Sequence, residues 1–137
     1  MSAQKPLELI LARNLLSSLS TPAFLVGEEG ALLYYNGAAG AMLGRGFEES
    51  GNMTATEWTS EFGPYGADEQ PIPYDQIPAT LAVRDNRPYH GIFRVRAVGG
   101  GHQDVAASSI PIVGLGGSSG GAIVFFWPVA SEQGESR

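Results

Sequence analysis

The sequence predicts an α+β fold, a five-stranded antiparallel sheet with short helices on one face and an amphipathic helix at the N-terminus. Three observations predict it. The last third alternates apolar and polar residues with period two, the residues around Pro22 to Tyr35 form two β-prone runs about a turn, and the stretch between these regions carries helix signals. Two N-terminal strands, a helical middle and a three-stranded meander segregate helices from an antiparallel sheet.

Taken in order, Pro6 sits where a helix begins, and Leu9, Ile10, Arg13 and Leu16 continue a helical pattern that ends near Leu19. Its apolar face is wide. Leu7, Ile10, Leu11, Leu15 and Leu19 exceed what one sheet contact needs, so the helix is either a docked core helix or a dimer seam formed by Leu7, Ile10, Leu11 and Leu15. Pro22 to Val26 is a first strand, Gly27-Glu28-Glu29-Gly30 a turn, and Ala31 to Tyr35 a second strand. Asn36 is a good N-cap for the small-residue helix Gly37 to Leu43, which Gly44 closes.

From Arg45 to Pro73 glycines and prolines punctuate the pattern, leaving a helical turn around Thr56 to Phe62 and a segment expected to be the most mobile. A helix with Pro78 in its first turn then runs from Ala79 to Asp85 and stops at Asn86 before Pro88, with Leu81 facing the core. Phe93 and Val95 alternate with Arg94 and Arg96, and Val105 and Ala107 with Asp104 and Ala106, joined through Gly99-Gly100-Gly101. After Ile110-Pro111-Ile112 and a turn at Gly114 to Gly121, the continuous apolar run Ala122 to Trp127 suits a central strand.

Bulk properties bound the function. A chain of 137 residues, 43% hydrophobic, is sized for one core, and neither a repeat nor an internal linker divides it. The expected layout is an N-terminal helix over 1–20, a domain over 21–130 and a polar tail over 131–137. Eight Lys and Arg against 14 Asp and Glu give a net charge of -6, which argues against nucleic acid and anionic membranes as partners. The absence of cysteine excludes disulfides, thiolate nucleophiles and Cys-ligated zinc. Glu8, Arg13 and Asn14 interrupt any signal-peptide core, and no apolar run approaches the roughly 20 residues of a membrane span, so a cytoplasmic location is expected.

The string PAFLVGEEGALLYYNGAAGAMLG from Pro22 to Gly44 resembles the opening of a PAS domain: strand, acidic-glycine turn, strand ending in Asn, and a small-residue helix ending Leu-Gly. EQPIPYDQIPATLAVRDNRPYHGIFRVRAVGGG resembles the family's helix before the third strand, and SSIPIVGLGGSSGGAIVFFW its final hairpin. The resemblance implies a five-stranded sheet cupping a small cavity, with a role in sensing ligands, redox or light, or in dimer and partner contacts. The family commonly ends its last strand with Asp-x-Thr, which couples to an output domain. Here Pro128-Val129-Ala130 stands in that place, so output is expected through dimerisation or a separate regulatory protein.

Light-sensing members use flavin with a reactive cysteine, and a chain without cysteine excludes that photochemistry. Haem-binding members use an axial histidine on the helix before the third strand, whereas the matching segment Pro78 to Asp85 has none, and His90 and His102 lie elsewhere, which argues against haem. The cofactor is otherwise left open, and no metal site is expected. Read literally, the alternation turns Phe24, Val26, Leu32, Tyr34, Phe93, Val95, Val105, Ala107, Ser109, Val124 and Phe126 inward; with Ala39 and Leu81 they are the candidate lining of a pocket. The small residues of the fourth strand either leave room for an apolar or weakly polar small molecule or are covered by Trp58, Phe62 and neighbouring rings. Tyr34 and Ser109 are the hydroxyls expected to point inward.

Enzymatic chemistry finds little support, since neither histidine has an evident carboxylate partner and Ser108-Ser109 lack the Gly-x-Ser-x-Gly elbow. The Gly114 to Gly121 loop lacks the lysine and the following helix of a phosphate cradle. Asn52-Met53-Thr54 fits a glycosylation sequon, which is discounted because nothing else indicates secretion. Two readings survive, a ligand sensor and a ligand-free docking module, with a small enzyme on a similar scaffold as a third.

Overall fold

The computed structural model describes residues 7–27, 29–66, 68–113 and 119–129. Its elements run α1 (Leu7–Ser17), β1 (Ala23–Val26), β2 (Leu32–Tyr35), α2 (Gly37–Leu43), α3 (Phe47–Ser50), α4 (Ala55–Phe62), a 3-10 turn (Tyr74–Gln76), α5 (Pro78–Asp85), β3 (Tyr89–Arg96), β4 (His102–Val113) and β5 (Ser119–Pro128). One antiparallel sheet has the order β2-β1-β5-β4-β3, so the apolar last strand is central, as its continuous hydrophobicity predicts. Helices cover both faces. α2 to α5 lie over the face built from Phe24, Val26, Val105, Ala107 and Phe126, while α1 packs Leu9, Ala12 and Leu16 on Ala23 and Leu25 of the other.

Local chemistry explains the boundaries. Asn36 caps α2 by accepting the Ala39 N–H, and Gly44, at φ 86°, closes the helix in a left-handed conformation suited to glycine. Thr54 and Glu57 form a reciprocal capping box at the start of α4, and Pro78 opens α5 where its missing N–H costs nothing. The segment Arg45 to Pro73 is therefore more structured than its glycine and proline content predicts, with α3 beyond the expectation and α4 one residue longer than the foreseen turn.

Both sheet edges carry short bridges. Leu32 of β2 exchanges backbone hydrogen bonds with Met53 (2.7 and 3.1 Å), and Arg94 of β3 with Tyr65 (2.8 and 2.9 Å), which occupies edge groups that would otherwise recruit strands. Pro111 lies within β4, yet β3 stops pairing at Ser109, so the proline sits where β4 has only β5 beside it.

The strongest latch is one amide. Asn36 is buried; its Oδ1 accepts from Ala23 N and Ala39 N, both at 3.1 Å, and its Nδ2 donates to Leu16 O at 3.0 Å and Thr21 O at 2.9 Å. This single side chain joins the end of α1, the start of β1 and the start of α2. A second tie is Trp58, whose indole N–H donates to Gly30 O at 2.8 Å and fixes α4 to the β1–β2 turn.

Two expectations about side-chain direction are corrected. Tyr34 lies on the α1 side of the sheet, half-buried beneath the Arg13 guanidinium at 4.6 Å, and Tyr35 takes the inward place. The cause is a register irregularity: Leu25 pairs with Tyr34 but Val26 pairs with Leu32, so Leu33 is an extra residue and the alternation shifts. Leu81 is half-buried, because α5 turns Pro78, Ala79 and Ala82 to the interior.

Candidate functional site

The inward face divides into a filled half and a hollow half. Over β1 and β2 the rings of Phe24, Tyr35, Phe47 and Phe62 meet edge to face or tilted, with centroids 5.5–6.4 Å apart, and Tyr35 donates its hydroxyl to Arg45 O at 2.6 Å. Over β3 to β5 the register aligns Gly91 with Ala107 and Ala107 with Phe126, and Ser109 sits between Tyr89 and Val124. Small residues in this row leave a cavity of about 60 Å³. Phe24, Phe93, Val95, Val105, Ala107, Ser109, Val124 and Phe126 line it from the sheet, and Trp58, Phe62, Gly63, Pro64, Ile77, Pro78 and Ala79 line it from α4, α5 and the segments joining them.

Gly91 shapes one wall. A Cβ placed on it would lie 2.5 Å from the tip of the Phe93 ring, so glycine lets that ring fold back along β3. Phe93, Val95 and Val124 are half-buried, which brings this side of the cavity to solvent. Among the described residues, no ionisable side chain contributes to the lining. The exception to its apolar character is Ser109: it is fully buried, and its Oγ has no hydrogen-bond partner among the described residues. A hydroxyl left so costs about 1–3 kcal/mol, which makes it the least settled polar group in the interior.

The remaining sequence candidates fall elsewhere. Val26 lines a neighbouring surface recess with Gly30, Trp58 and Tyr74; Leu32 and Ala39 are buried in the filled half; Tyr34 and Leu81 lie outside the cavity as described. The α4 and α5 lining was signalled only by Trp58 and Phe62, since the backbone of Gly63-Pro64 and the Ile77-Pro78-Ala79 turn has no periodicity to betray it. On α1, Ile10, Leu11 and Leu15 are 44%, 57% and 56% exposed, while the side chain of Leu7 lies outside the described residues.

The polar groups outside the cavity form structural pairs. Arg94 donates to Asp104 at 2.8 Å and reaches Glu69 at 3.0 Å, and the guanidinium hydrogen bond holds the Asp104 carboxyl below the usual carboxylate range. His90 Nδ1 lies 2.9 Å from Ser108 Oγ on the exposed side of the sheet, and no carboxylate orients that imidazole among the described residues. His102 is exposed. Residues 114–118 of the glycine-serine loop and the tail 131–137 lie outside the described residues. No described helix is long and apolar enough to cross a membrane.

No family model and no curated protein matches the sequence. Solved structures do. A PAS domain of a protein from Colwellia psychrerythraea superimposes with a TM-score of 0.64 at 14% identity, covering 88% of this chain and 96% of that one. The PAS domain of BvgS from Bordetella pertussis gives 0.61 at 17%, covering 92% and 89%, and a PAS domain from a two-component sensor histidine kinase gives 0.60 at 19%, covering 90% and 97%. Near-complete coverage in both directions, a sheet of order β2-β1-β5-β4-β3 and helices cupped over its inner face agree on one architecture: this chain has the PAS fold.

Proposed function

We infer that this chain is a sensory domain that admits a small uncharged molecule to the cavity between β3 to β5 and the α4–α5 side, and signals through contacts of α1 with a second copy of itself or a regulatory protein. The observation that carries the reading is the hollow itself: one half of a sheet face is closed by interlocking rings, while the other is lined by aromatic walls around Ala107 and Ser109. Cores pack to crystal-like density, so a void walled by side chains of this size is a feature with a cost, and ligand sites are predominantly apolar concavities with few polar groups. One of the similar solved structures is a PAS domain from a two-component sensor histidine kinase, which supports a signalling role.

α1 offers a way out for the signal. It packs on β1 and β5 through Leu9, Ala12 and Leu16 and leaves Ile10, Leu11 and Leu15 uncovered, while Asn36 ties its last turn to the strand that carries Phe24 at the cavity. A molecule that presses on Phe24 or Phe126 therefore acts one residue away from the outward Leu25 and Phe125 on which α1 rests. Such an effect requires the ligand to bind the two α1 arrangements differently.

Native mass spectrometry of the purified chain, with its visible absorption spectrum, tests the reading. A stoichiometric small organic adduct without colour is the expected result. Haem or flavin absorption overturns the uncharged-ligand reading. Absence of an adduct, together with an unchanged spectrum on adding small aromatic probes, favours the docking module, for which the exposed leucines of α1 are the specific observation.

A further inference from the structure

Resting on the cavity reading above, we propose that the ligand is a small neutral molecule, largely apolar, that carries one hydrogen-bonding heteroatom placed to meet the Ser109 hydroxyl. The sheet register fixes that hydroxyl. Ser109 stands opposite Tyr89 on one side and Val124 on the other, with the same orientation as Ala107 and Val105 along β4, so its Oγ faces the cavity and not the solvent side occupied by Ser108. It is 0% exposed, and its Oγ has no hydrogen-bond partner among the described residues.

The surroundings decide what completes it. Water held in a cavity needs two to four polar partners, and this lining presents almost no polar surface beside the one hydroxyl, so a trapped water is a poor partner here. A charged ligand is worse served, because nothing ionisable among the described residues lines the site to offset the loss of its hydration. What fits is an apolar body among the rings of Phe24, Phe93 and Phe126 with one acceptor or donor directed at β4. The cavity is small, about 60 Å³, and its Phe93 and Val95 side is half-buried, so the occupant is a short branched chain or a single ring with part of its surface toward that side.

Three probes of one ring size separate the possibilities: phenol, its near-isostere toluene, and the anion benzoate, each titrated into the isotope-labelled full chain and followed by backbone amide shifts. Phenol is expected to bind about fivefold to tenfold more tightly than toluene, the scale of one buried hydrogen bond, and benzoate not to bind. Ser109→Ala is expected to abolish the difference while leaving toluene binding intact, and its retained spectral dispersion shows that it folds. Equal binding of phenol and toluene to the parent chain, or a phenol preference that survives Ser109→Ala, overturns the role of Ser109 while the cavity stands. Binding of benzoate at phenol's affinity overturns the neutral-ligand assignment. If neither phenol nor toluene moves the amides of Ala107, Ser109 and Val124, the cavity reading on which this rests fails instead.

Discussion

The β1–β2 half and the β3–β5 half of the inner sheet face share one sheet and end differently packed. In the first, Leu32, Tyr35, Ala39 and Leu43 are fully buried and the buried polar side chains have partners: Asn36 satisfies four backbone groups at 2.9–3.1 Å, and Tyr35 gives its proton to Arg45 O. In the second, the rings stand around glycine, alanine and serine, and the Ser109 hydroxyl is left without a partner among the described residues. The difference teaches that the fold is held by one half and that the other is free to be incompletely packed. Substitutions in the two halves should separate stability from binding.

The largest effect is expected at Asn36. Asn36→Ala removes the α2 cap, worth about 1 kcal/mol, leaves the buried Ala23 N–H without its side-chain acceptor and deletes the bonds to Leu16 O and Thr21 O, so a total loss of about 2–3 kcal/mol is expected in urea unfolding. A loss below about 1 kcal/mol would mean that water or a shifted α1 replaces the amide, and the latch would be lost as an account of the fold. Gly121→Ala, on β5 where it abuts β1, is the next test. Gly121 has φ 128°, and a Cβ there would lie 2.1 Å from Val26 O, where neither strand backbone can yield, so a loss of about 2 kcal/mol is expected.

The hollow half is expected to answer in the opposite sense. Ala107→Val adds two methyl groups at the floor of the cavity, so stability should hold or rise by up to about 1 kcal/mol, while toluene and phenol binding is lost. Retention of probe binding with unchanged affinity would place the site elsewhere, and a marked loss of stability would show that this half is as tightly packed as the other.

The division of the face was only partly legible in the sequence. The hairpins, the Asn36 cap and the central position of the last strand follow from period, turn residues and hydrophobic runs, which are local signals. Tyr34 and Tyr35 were not distinguishable that way: the extra residue at Leu33 shifts the alternation, and nothing in Leu32-Leu33-Tyr34-Tyr35 marks it, because every position is apolar or aromatic. The cap role of Asn36 was visible, but its bonds to Leu16 and Thr21 were not, since they depend on where α1 lands. Ser109 was legible from strand alternation alone. That its hydroxyl stays unpaired depends on residues from α4, α5 and Gly63-Pro64 that lie far away in sequence.

The smallest effect concerns the rim, where Arg94 joins Asp104 on β4 to Glu69 in the segment beside Tyr65. The Arg94 hydrogen bond holds the Asp104 carboxyl below its ordinary value, so the folded chain binds that proton less readily than the unfolded chain. The sign follows from linkage: the pair stabilises the fold at pH above the unfolded carboxylate value of about 3.9, and its contribution disappears as pH falls through the lower folded value. Asp104→Asn should therefore melt slightly below the parent chain at about pH 7, by a margin that narrows as pH falls below about 3.9. Its edge strand remains bridged by the Tyr65–Arg94 backbone pair, so probe binding in the cavity should not change. A melting difference that persists undiminished at about pH 3 would assign the role of Asp104 to packing on β3 and not to its charge, and altered probe affinity would make this rim part of the hollow half.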